Sequence, residues 1–247
     1  MKRIAFVHSG SFFHIACTKD PSIRAYDPDF IYWPEYNGDF SEYDSVFLAA
    51  RNHPQVIADK HDTLLDFMKL EHKKIYLDGM NCVGSWLTNT HEIARGTCFW
   101  AWRTGEDLGR VAVNTDHYLW RYLTEEAVFW HYHAVFEPPC GAQPLVILRN
   151  THEAHTALAE TQLEIDSCTT TSCGDNPSST MESCGVDPWG LSYRALPNHK
   201  NALLYYDHVS FPAELVVSSM DASYHHGSGF MPGASQLLYR MLRWLSD

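Results

Sequence analysis

Residues 78–85 read DGMNCVGS and place a thiol in a turn of small residues at the end of a predicted strand. A sharp turn into a helix exposes the side chain at its tip, and backbone N–H groups at a helix start lower a thiol pKa and stabilise an oxyanion. Cys82 is therefore a candidate nucleophile, and Asp78 and Asn81 are candidate ligand-binding neighbours. The alternative is that Cys82 is a small buried apolar residue.

Two histidines two positions apart, His131 and His133, form the second candidate group. In an extended segment both side chains project to the same face, which suits either two metal ligands or a pair that grips a ligand. A zinc site normally needs a third ligand, and the sequence places none at a diagnostic spacing, so no metal is predicted. We assign both histidines, with the nearby Glu137, to ligand binding. A metal site and hydrogen-bonded structural histidines are the alternatives.

Residues 221–229 read DASYHHGSG and directly follow an apolar strand. An acid, imidazoles and flexible glycines at a strand end fit a general base with a carboxylate that orients it. We assign His225 or His226 as the acid/base residue and Asp221 as the orienting carboxylate. The alternative is an aspartate cap followed by surface histidines in a glycine turn.

The remaining ligand-binding candidates follow from side-chain chemistry and position. Arg51 ends a predicted strand, and its planar guanidinium can bind a carboxylate or phosphate with two hydrogen bonds; an ordinary surface salt bridge is the alternative. Ser9 lies in the loop after the first strand, where an open α/β sheet places its ligand. Trp100 and Trp102 share one face if their segment is extended, and they would wall a pocket for a sugar or another flat ligand. Core packing is the alternative for both tryptophans.

The elements that must position these residues are short apolar strands and two amphipathic helices. Continuous apolar runs bounded by turn residues predict buried strands, and apolar residues at helical spacing predict helices that cover a sheet. The predicted strands are residues 4–7, 30–33, 44–50, 73–79, 110–113, 144–148, 202–206 and 213–219, and the predicted helices are residues 56–70 and 234–245.

Strands that alternate with helices indicate βαβ units, in which the ligand site lies at the carboxyl ends of the strands. We therefore predict a single α/β domain over residues 1–247 with a mostly parallel central sheet. The strands at 202–206 and 213–219 are expected to form a late hairpin or strand pair. Residues 166–190 are rich in Ser, Thr, Gly, Asn and Cys, which predicts a long loop insertion at the surface.

Composition limits the partners. The chain has a formal net charge of −12 and only 18 Lys and Arg residues, so nucleic acid is disfavoured because its binding depends on neutralised phosphates. No run approaches the roughly 18 apolar residues that span a bilayer, and the N-terminal apolar run is too short for a signal peptide. The 7 cysteines show no CxxC spacing. We expect a soluble cytoplasmic protein with reduced thiols, a small-molecule ligand, no membrane partner and no cofactor.

Taken in order along the chain, these segments resemble the class I glutamine amidotransferase-like superfamily, and within it the trehalose-utilisation (ThuA-like) proteins and their relatives. The resemblance covers most of the chain, through its pattern more than through a diagnostic motif. It is carried by residues 8–10 (HSG), 44–51 (DSVFLAAR), the helix at 56–70, 76–79 (YLDG), 130–133 (WHYH), 137–142 (EPPCGA) and 221–232 (DASYHHGSGFMP).

The resemblance implies a flavodoxin-like three-layer sandwich, a catalytic cysteine at Cys82 and a catalytic histidine at His225 or His226. Enzymes of this class carry Gly-x-Cys-x-Gly, whereas this chain has Met80 in place of the first glycine, and no glutamate lies two positions beyond either histidine. The leading hypothesis is a stand-alone amidotransferase-like protein that binds, and hydrolyses, a small amide or sugar-like ligand.

Two other hypotheses stand beside it. One is a non-catalytic binding or subunit-interaction module of the same fold, because fold alone does not determine function. The other is a metal-dependent hydrolase that uses the histidines. The expected assembly is either a homo-oligomer or a complex with a separate partner subunit, which any transfer of ammonia would require.

Overall fold

The computed structural model describes residues 2–94, 108–149 and 201–247. The loop predicted at 166–190 and the candidates Trp100 and Trp102 lie outside these residues. The strands are β1 (Ile4–His8), β2 (Asp29–Tyr32), β3 (Ser45–Leu48), β4 (Lys74–Leu77), β5 (His91–Ala94), β6 (Arg110–Ala112), β7 (Ala134–Glu137), β8 (Gln143–Leu148), β9 (Ala202–Asp207) and β10 (Glu214–Ser218). The helices are α1 (Phe12–Lys19), α2 (Pro21–Arg24), α3 (Pro54–Met68), α4 (Glu125–Val128), α5 (Ala222–Gly227) and α6 (Pro232–Ser246).

The strands form one mixed sheet with the order β2-β1-β3-β4-β10-β9-β7-β5, and β8 joins β9 and β6 beside this path. The half from β2 to β10 is parallel throughout. From β10 onwards the described pairings are antiparallel. The predicted α/β class is confirmed, and most strands of the sheet run in one direction.

The late strand pair is also confirmed, because β9 and β10 pair in antiparallel register with Val216 opposite Tyr206. A short connection permits only this arrangement, since a parallel neighbour requires a longer crossover. The pair therefore ends the parallel half and starts the antiparallel half. Two other strands of the antiparallel half, β5 and β7, have no counterpart among the predicted strands.

The inner strands β1, β3 and β4 of the parallel half are buried on both faces, as their apolar sequences predict, whereas the edge strand β2 is partly exposed. Alternate residues point to opposite faces: Phe6 belongs to the core that includes the buried side of α6, and Val7 belongs to the core that includes α3. Both predicted amphipathic helices are therefore present and pack against the sheet. Among the described helices, none combines the length and the apolar character needed to cross a membrane.

The segment predicted as a glycine turn at residues 225–227 is instead part of the helix α5. Its sequence carries weak local helix signals, but the Asp78 carboxylate accepts the backbone N–H groups of Ala222 at 2.9 Å and Ser223 at 2.7 Å. These bonds satisfy N–H groups at the start of the helix that have no partner within it. Asp78 lies 144 positions before Ala222, so no local pattern could reveal this cap.

Candidate functional site

The ends of the parallel strands meet at one edge of the sheet, as predicted. The backbone N–H of Gly79, after β4, donates to the carbonyl of Met220, after β10, at 2.9 Å. The carbonyl of Gly79 accepts the N–H of Arg51, after β3, at 3.2 Å. Three turns from distant parts of the chain are thus tied together by backbone hydrogen bonds.

Only glycine fits at position 79 in this arrangement. A Cβ atom there would lie 2.6 Å from the carbonyl carbon of Met220 and 2.9 Å from the backbone nitrogen of Asp221, both backbone atoms that cannot move aside cheaply. The close approach of the two strand ends therefore depends on the missing side chain. It also sets the position of Asp221.

Four potential metal ligands from two separate segments converge at this edge. One side-chain ligand atom from each of His131, His133, Asp221 and His225 lies within 4.8 Å of the others. Asp221 and His225 are four positions apart at the start of α5 and so share one face of the helix. The residues that the sequence analysis treated as two independent groups therefore form one cluster.

Ser219, directly after β10, holds His133 and the following Ala134 in place through their backbone atoms. The N–H of His133 donates to the carbonyl of Ser219 at 3.3 Å, and the N–H of Ala134 donates to its hydroxyl oxygen at 3.2 Å. The same hydroxyl donates to the carbonyl of Ala134 at 2.6 Å. The extended segment that leads into β7 is thereby fixed beside the end of β10.

Asp221 is the centre of the cluster. Its Oδ1 atom lies 3.1 Å from Nε2 of His133 and 3.2 Å from Nε2 of His225, and its Oδ2 atom accepts Nε–H of Arg51 at 2.6 Å. Burial alone would raise the pKa of this carboxyl group, but the contacts with His133 and His225 outweigh burial and lower it below its usual range. Asp221 is therefore an anion although its side chain is fully buried.

The two imidazole contacts of Asp221 are close, yet neither is directed as a hydrogen bond. Oδ1 is a buried oxygen that receives no hydrogen bond of acceptable geometry within the described parts of the chain. A buried carboxylate oxygen normally has such a partner, so its absence calls for an explanation. One explanation is that the oxygen and the two nitrogens are arranged around a common ion.

Arg51 borders the cluster on its accessible side. Its Nη2 atom lies 3.2 Å from Nε2 of His133, and its guanidinium carbon lies 3.8 Å from the centre of the Tyr224 ring. The Arg51 backbone has a φ of 56°, a left-handed conformation that side chains other than glycine adopt at a cost. The side chain is 30% exposed, whereas the Asp221 carboxylate that it binds is fully buried.

His131 contributes a buried imidazole next to the other two. Its ring centre lies 4.3 Å from that of His133 and 5.4 Å from that of His225. Burial, reinforced by the neighbouring His133, lowers the pKa of His131 to about 4. The ring is therefore neutral near pH 7 and has the lone pair that a metal ligand requires.

Asn81 organises the turn after β4. Its amide nitrogen donates to the carbonyls of Ala49 and Asp78, both at 2.8 Å, and its amide oxygen accepts the N–H of Asn52 at 3.1 Å. With these bonds Asn81 ties the ends of β3 and β4 together. Its predicted ligand-binding role, like that of Asp78, stays a prediction.

Cys82 is exposed and lies just before a short 3-10 helix, Val83–Ser85. Its φ of 50° is left-handed, so the thiol is presented by a tight turn, as expected for a nucleophile. Burial, together with the nearby Glu92 carboxylate, raises the pKa of the thiol. Among the described residues, no hydrogen bond or ion pair connects Cys82 to the four-residue cluster.

The structure separates the two adjacent histidines of α5. Whereas His225 faces Asp221, Nε2 of His226 lies 2.9 Å from Oδ2 of Asp20, and its Nδ1 lies 2.9 Å from the hydroxyl oxygen of Ser235. His226 thus links α5 to the start of α2 and to the first turn of α6. The predicted choice between His225 and His226 is resolved by position in favour of His225 as the neighbour of Asp221.

Two further candidates lie in other contacts. The Ser9 hydroxyl accepts the N–H of His53 at 3.3 Å, which places it beside the loop that carries Arg51. The Glu137 carboxylate lies 3.4 Å from Nδ1 of His91 on the neighbouring strand β5. Their ligand-binding roles stay predictions.

Comparison with known proteins identifies no relative, since no protein-family model, no curated protein and no solved structure matches this chain significantly. The candidate site therefore stands on its own geometry. The residues that could complete a metal site with the histidine pair are Asp221 and His225. Their spacing of four positions was a usable signal, but it indicates a shared face only if the segment is helical.

Proposed function

We propose that the protein is a metal-dependent hydrolase that acts on a small polar substrate at the carboxyl edge of its sheet. The observation that carries the proposal is the convergence of His131, His133, Asp221 and His225 around a buried, ionised carboxylate. Imidazole nitrogens and carboxylate oxygens are the donors that zinc and related divalent transition metals take in catalytic sites.

The distances in the cluster support a shared ion. A tetrahedral zinc ion about 2.0–2.1 Å from each donor separates neighbouring donors by roughly 3.3 Å. The separations of Asp221 Oδ1 from the nitrogens of His133 and His225, 3.1 and 3.2 Å, are close to this value. These three residues would form the inner ligand set, with His131 beside them.

A metal ion in this position would supply one chemical function, the activation of a water molecule at neutral pH. The protein would supply the rest. Asp221 and the imidazoles would hold the ion. The aromatic ring of Trp130 packs 5.5 Å from that of His225, and Arg51 lies beside Asp221 with its side chain 30% exposed. Reaction at the exposed side of the cluster would require a substrate small enough to reach His133, whose side chain is 19% exposed.

The finer expectations from the sequence belong to this proposal. Cores on both faces of the parallel half support a flavodoxin-like three-layer sandwich of the amidotransferase-like type. We retain a small amide or sugar-like molecule as the ligand and the cytoplasm as the location.

Cys82 supports a second candidate function, a thiol-dependent amidase. The supporting observation is its exposed thiol at a left-handed position in the loop that follows the parallel strand β4. A Cys82→Ser variant separates the two functions, because it should abolish thiol-dependent turnover and leave metal-dependent turnover unchanged. The thiols of Cys17 and Cys140 serve as matched controls, since Cys17 is buried and Cys140 is exposed.

Zinc binding provides the direct test of the main proposal. Purified protein is stripped with a chelator, titrated with zinc by calorimetry, and assayed before and after reloading with a panel of p-nitrophenyl esters and p-nitroanilides. We expect about one equivalent of tightly bound zinc and hydrolysis that returns with the metal.

Substitution of the adjacent histidines His225 and His226 shows which of them binds the metal. His225→Asn should lower zinc affinity by about 100-fold or more, because it removes a ligand, whereas His226→Asn should leave zinc binding intact. His72→Asn, at a side chain that is 95% exposed, is the neutral control. A wild-type protein that retains no zinc, or a His225→Asn variant that binds it normally, would contradict the proposal. A zinc-free protein that binds small amides or sugars without turnover would favour the non-catalytic module.

A further inference from the structure

The contacts of Arg51 leave one edge of its guanidinium available. Nε donates to Asp221 at 2.6 Å, and Nη2, on the same side of the group, lies 3.2 Å from His133. Among the described residues, Nη1 has no hydrogen-bond or ion-pair partner. The end of the fork, formed by Nη1 and the outward N–H of Nη2, is therefore the part that remains for a ligand.

The geometry of Arg51 is more specific than a structural ion pair requires. A pair that served stability alone would favour two parallel bonds between the guanidinium and Asp221, but only Oδ2 of Asp221 binds Arg51, and Oδ1 is left to the imidazoles. The backbone of Arg51 is held in a left-handed conformation, which costs roughly 1 kcal/mol or more and is found preferentially at functional sites.

The aromatic ring of Tyr224 restricts the guanidinium from its face. The guanidinium carbon lies over the ring at 3.8 Å from its centre, and this contact restricts the movement of the guanidinium. Asp221 fixes the other side. Less side-chain entropy is therefore lost when an anion binds than for a mobile surface arginine.

We infer that the substrate of this site carries an oxyanion, a carboxylate or a phosphate group, which the free edge of Arg51 binds beside the metal cluster. The inference deepens the proposed function, since it adds the substrate class to that site. Asp221 connects the two parts, because its Oδ1 atom faces the cluster and its Oδ2 atom holds Arg51. The oxyanion would lie next to the bond that the metal-activated water attacks.

Anion binding is measured by calorimetry at constant ionic strength, with malonate, its neutral counterpart malonamide, and inorganic phosphate as probes. We expect wild-type protein to bind malonate or phosphate at least about tenfold more tightly than malonamide, because charge-assisted bidentate bonds are stronger than neutral ones. The tighter of the two anions identifies the group. Equal affinity for malonate and malonamide, with phosphate also weak, would overturn the inference.

Substitutions of Arg51 test whether this residue binds the anion. Arg51→Gln should weaken the favoured anion about tenfold, and Arg51→Lys should weaken it less, since lysine keeps the charge but lacks the fork. The control is Arg243→Gln, which makes the same change in charge at an exposed position on α6. It should bind the anion with wild-type affinity. Unchanged anion affinity in a folded Arg51→Gln protein would overturn the inference even if zinc still binds.

The zinc-free protein separates this inference from the proposed function. Without the metal, any preference for malonate over malonamide must come from the protein, so the preference should persist in the stripped protein. This measurement also tests anion binding by the protein itself if Arg51→Gln fails to fold. Loss of the preference on stripping overturns the role of Arg51, whereas failure of zinc to bind overturns the proposed function alone.

Discussion

Two neighbouring strand ends each carry a buried carboxylate, and the two behave in opposite ways. Asp78, after β4, accepts the backbone N–H groups of Ala222 and Ser223, and burial raises its pKa to about 6. Asp221, after β10, contacts side chains that are cationic or imidazole, and its pKa is lowered despite the same burial.

The difference lies in the partners, not in the depth of burial. Backbone N–H groups are dipoles, and in Asp78 they do not outweigh the cost of placing a charge in a buried site. The contacts of Asp221 with His133 and His225 do outweigh this cost. Asp78, whose partners are backbone N–H groups, thus stabilises the start of α5. Asp221, whose partners are side chains, stays an anion that can bind a ligand.

The largest expected effect is the loss of the metal site in Asp221→Asn. The change removes the anionic ligand, so we expect zinc affinity to fall by more than about 100-fold, with a loss of roughly 3 kcal/mol in the free energy of unfolding because Arg51 loses its buried partner. Calorimetry and urea unfolding measure the two effects. Asp78→Asn is the matched control, and a similar loss of zinc in both variants would remove the distinction between the two carboxylates.

Asp78→Asn should act on stability instead. An asparagine has one oxygen for the two N–H groups of Ala222 and Ser223, so one of them is left without an acceptor. We expect the free energy of unfolding to fall by about 1–3 kcal/mol while zinc binding stays at the wild-type stoichiometry. Urea unfolding with zinc-loaded protein tests this, and unchanged stability would show that Asp78 does not support α5.

Gly79→Ala tests the contact between the two strand ends. The added Cβ would lie 2.6 Å from the Met220 backbone, so β4 and β10 must separate, at a cost of about 1–3 kcal/mol in unfolding free energy. The control is Gly229→Ala, where a Cβ has no neighbour within 4 Å and only the positive φ opposes it; about 1 kcal/mol is expected there. If the two variants lose equal stability, the close approach at Gly79 is unimportant.

The last prediction concerns the pH dependence of stability. Asp78 binds its proton more tightly in the folded protein, with a pKa of about 6 against 3.8 for the ordinary group, so its ionisation lowers stability as pH rises through this interval. Asp221 acts in the opposite sense, because its lowered pKa contributes stability that is lost as pH falls below its ordinary pKa. Urea unfolding at a series of pH values should show this fall in the free energy of unfolding in the wild type and not in Asp78→Asn. The same pH dependence in both proteins would contradict the raised pKa of Asp78.

Local sequence patterns predict the strands of the parallel half, the helices α3 and α6, and the residue types of the site. Apolar runs such as Ile4 to Val7 and the spacing of leucines in α6 are local patterns, and burial follows from them directly. His131, His133, Asp221 and His225 were all candidates, but as members of separate groups.

The convergence of these groups into one cluster follows from the three-dimensional fold and not from any local pattern. The helix α5 exists where the local sequence favours a turn, because Asp78 caps it from a distant strand, and that helix turns His225 towards Asp221 and His226 away from it. The contacts between Ser219 and His133 likewise join segments far apart in sequence. Local patterns report the propensity of a segment, whereas the pairing of side chains across strand ends depends on sheet order and register, which no single segment contains.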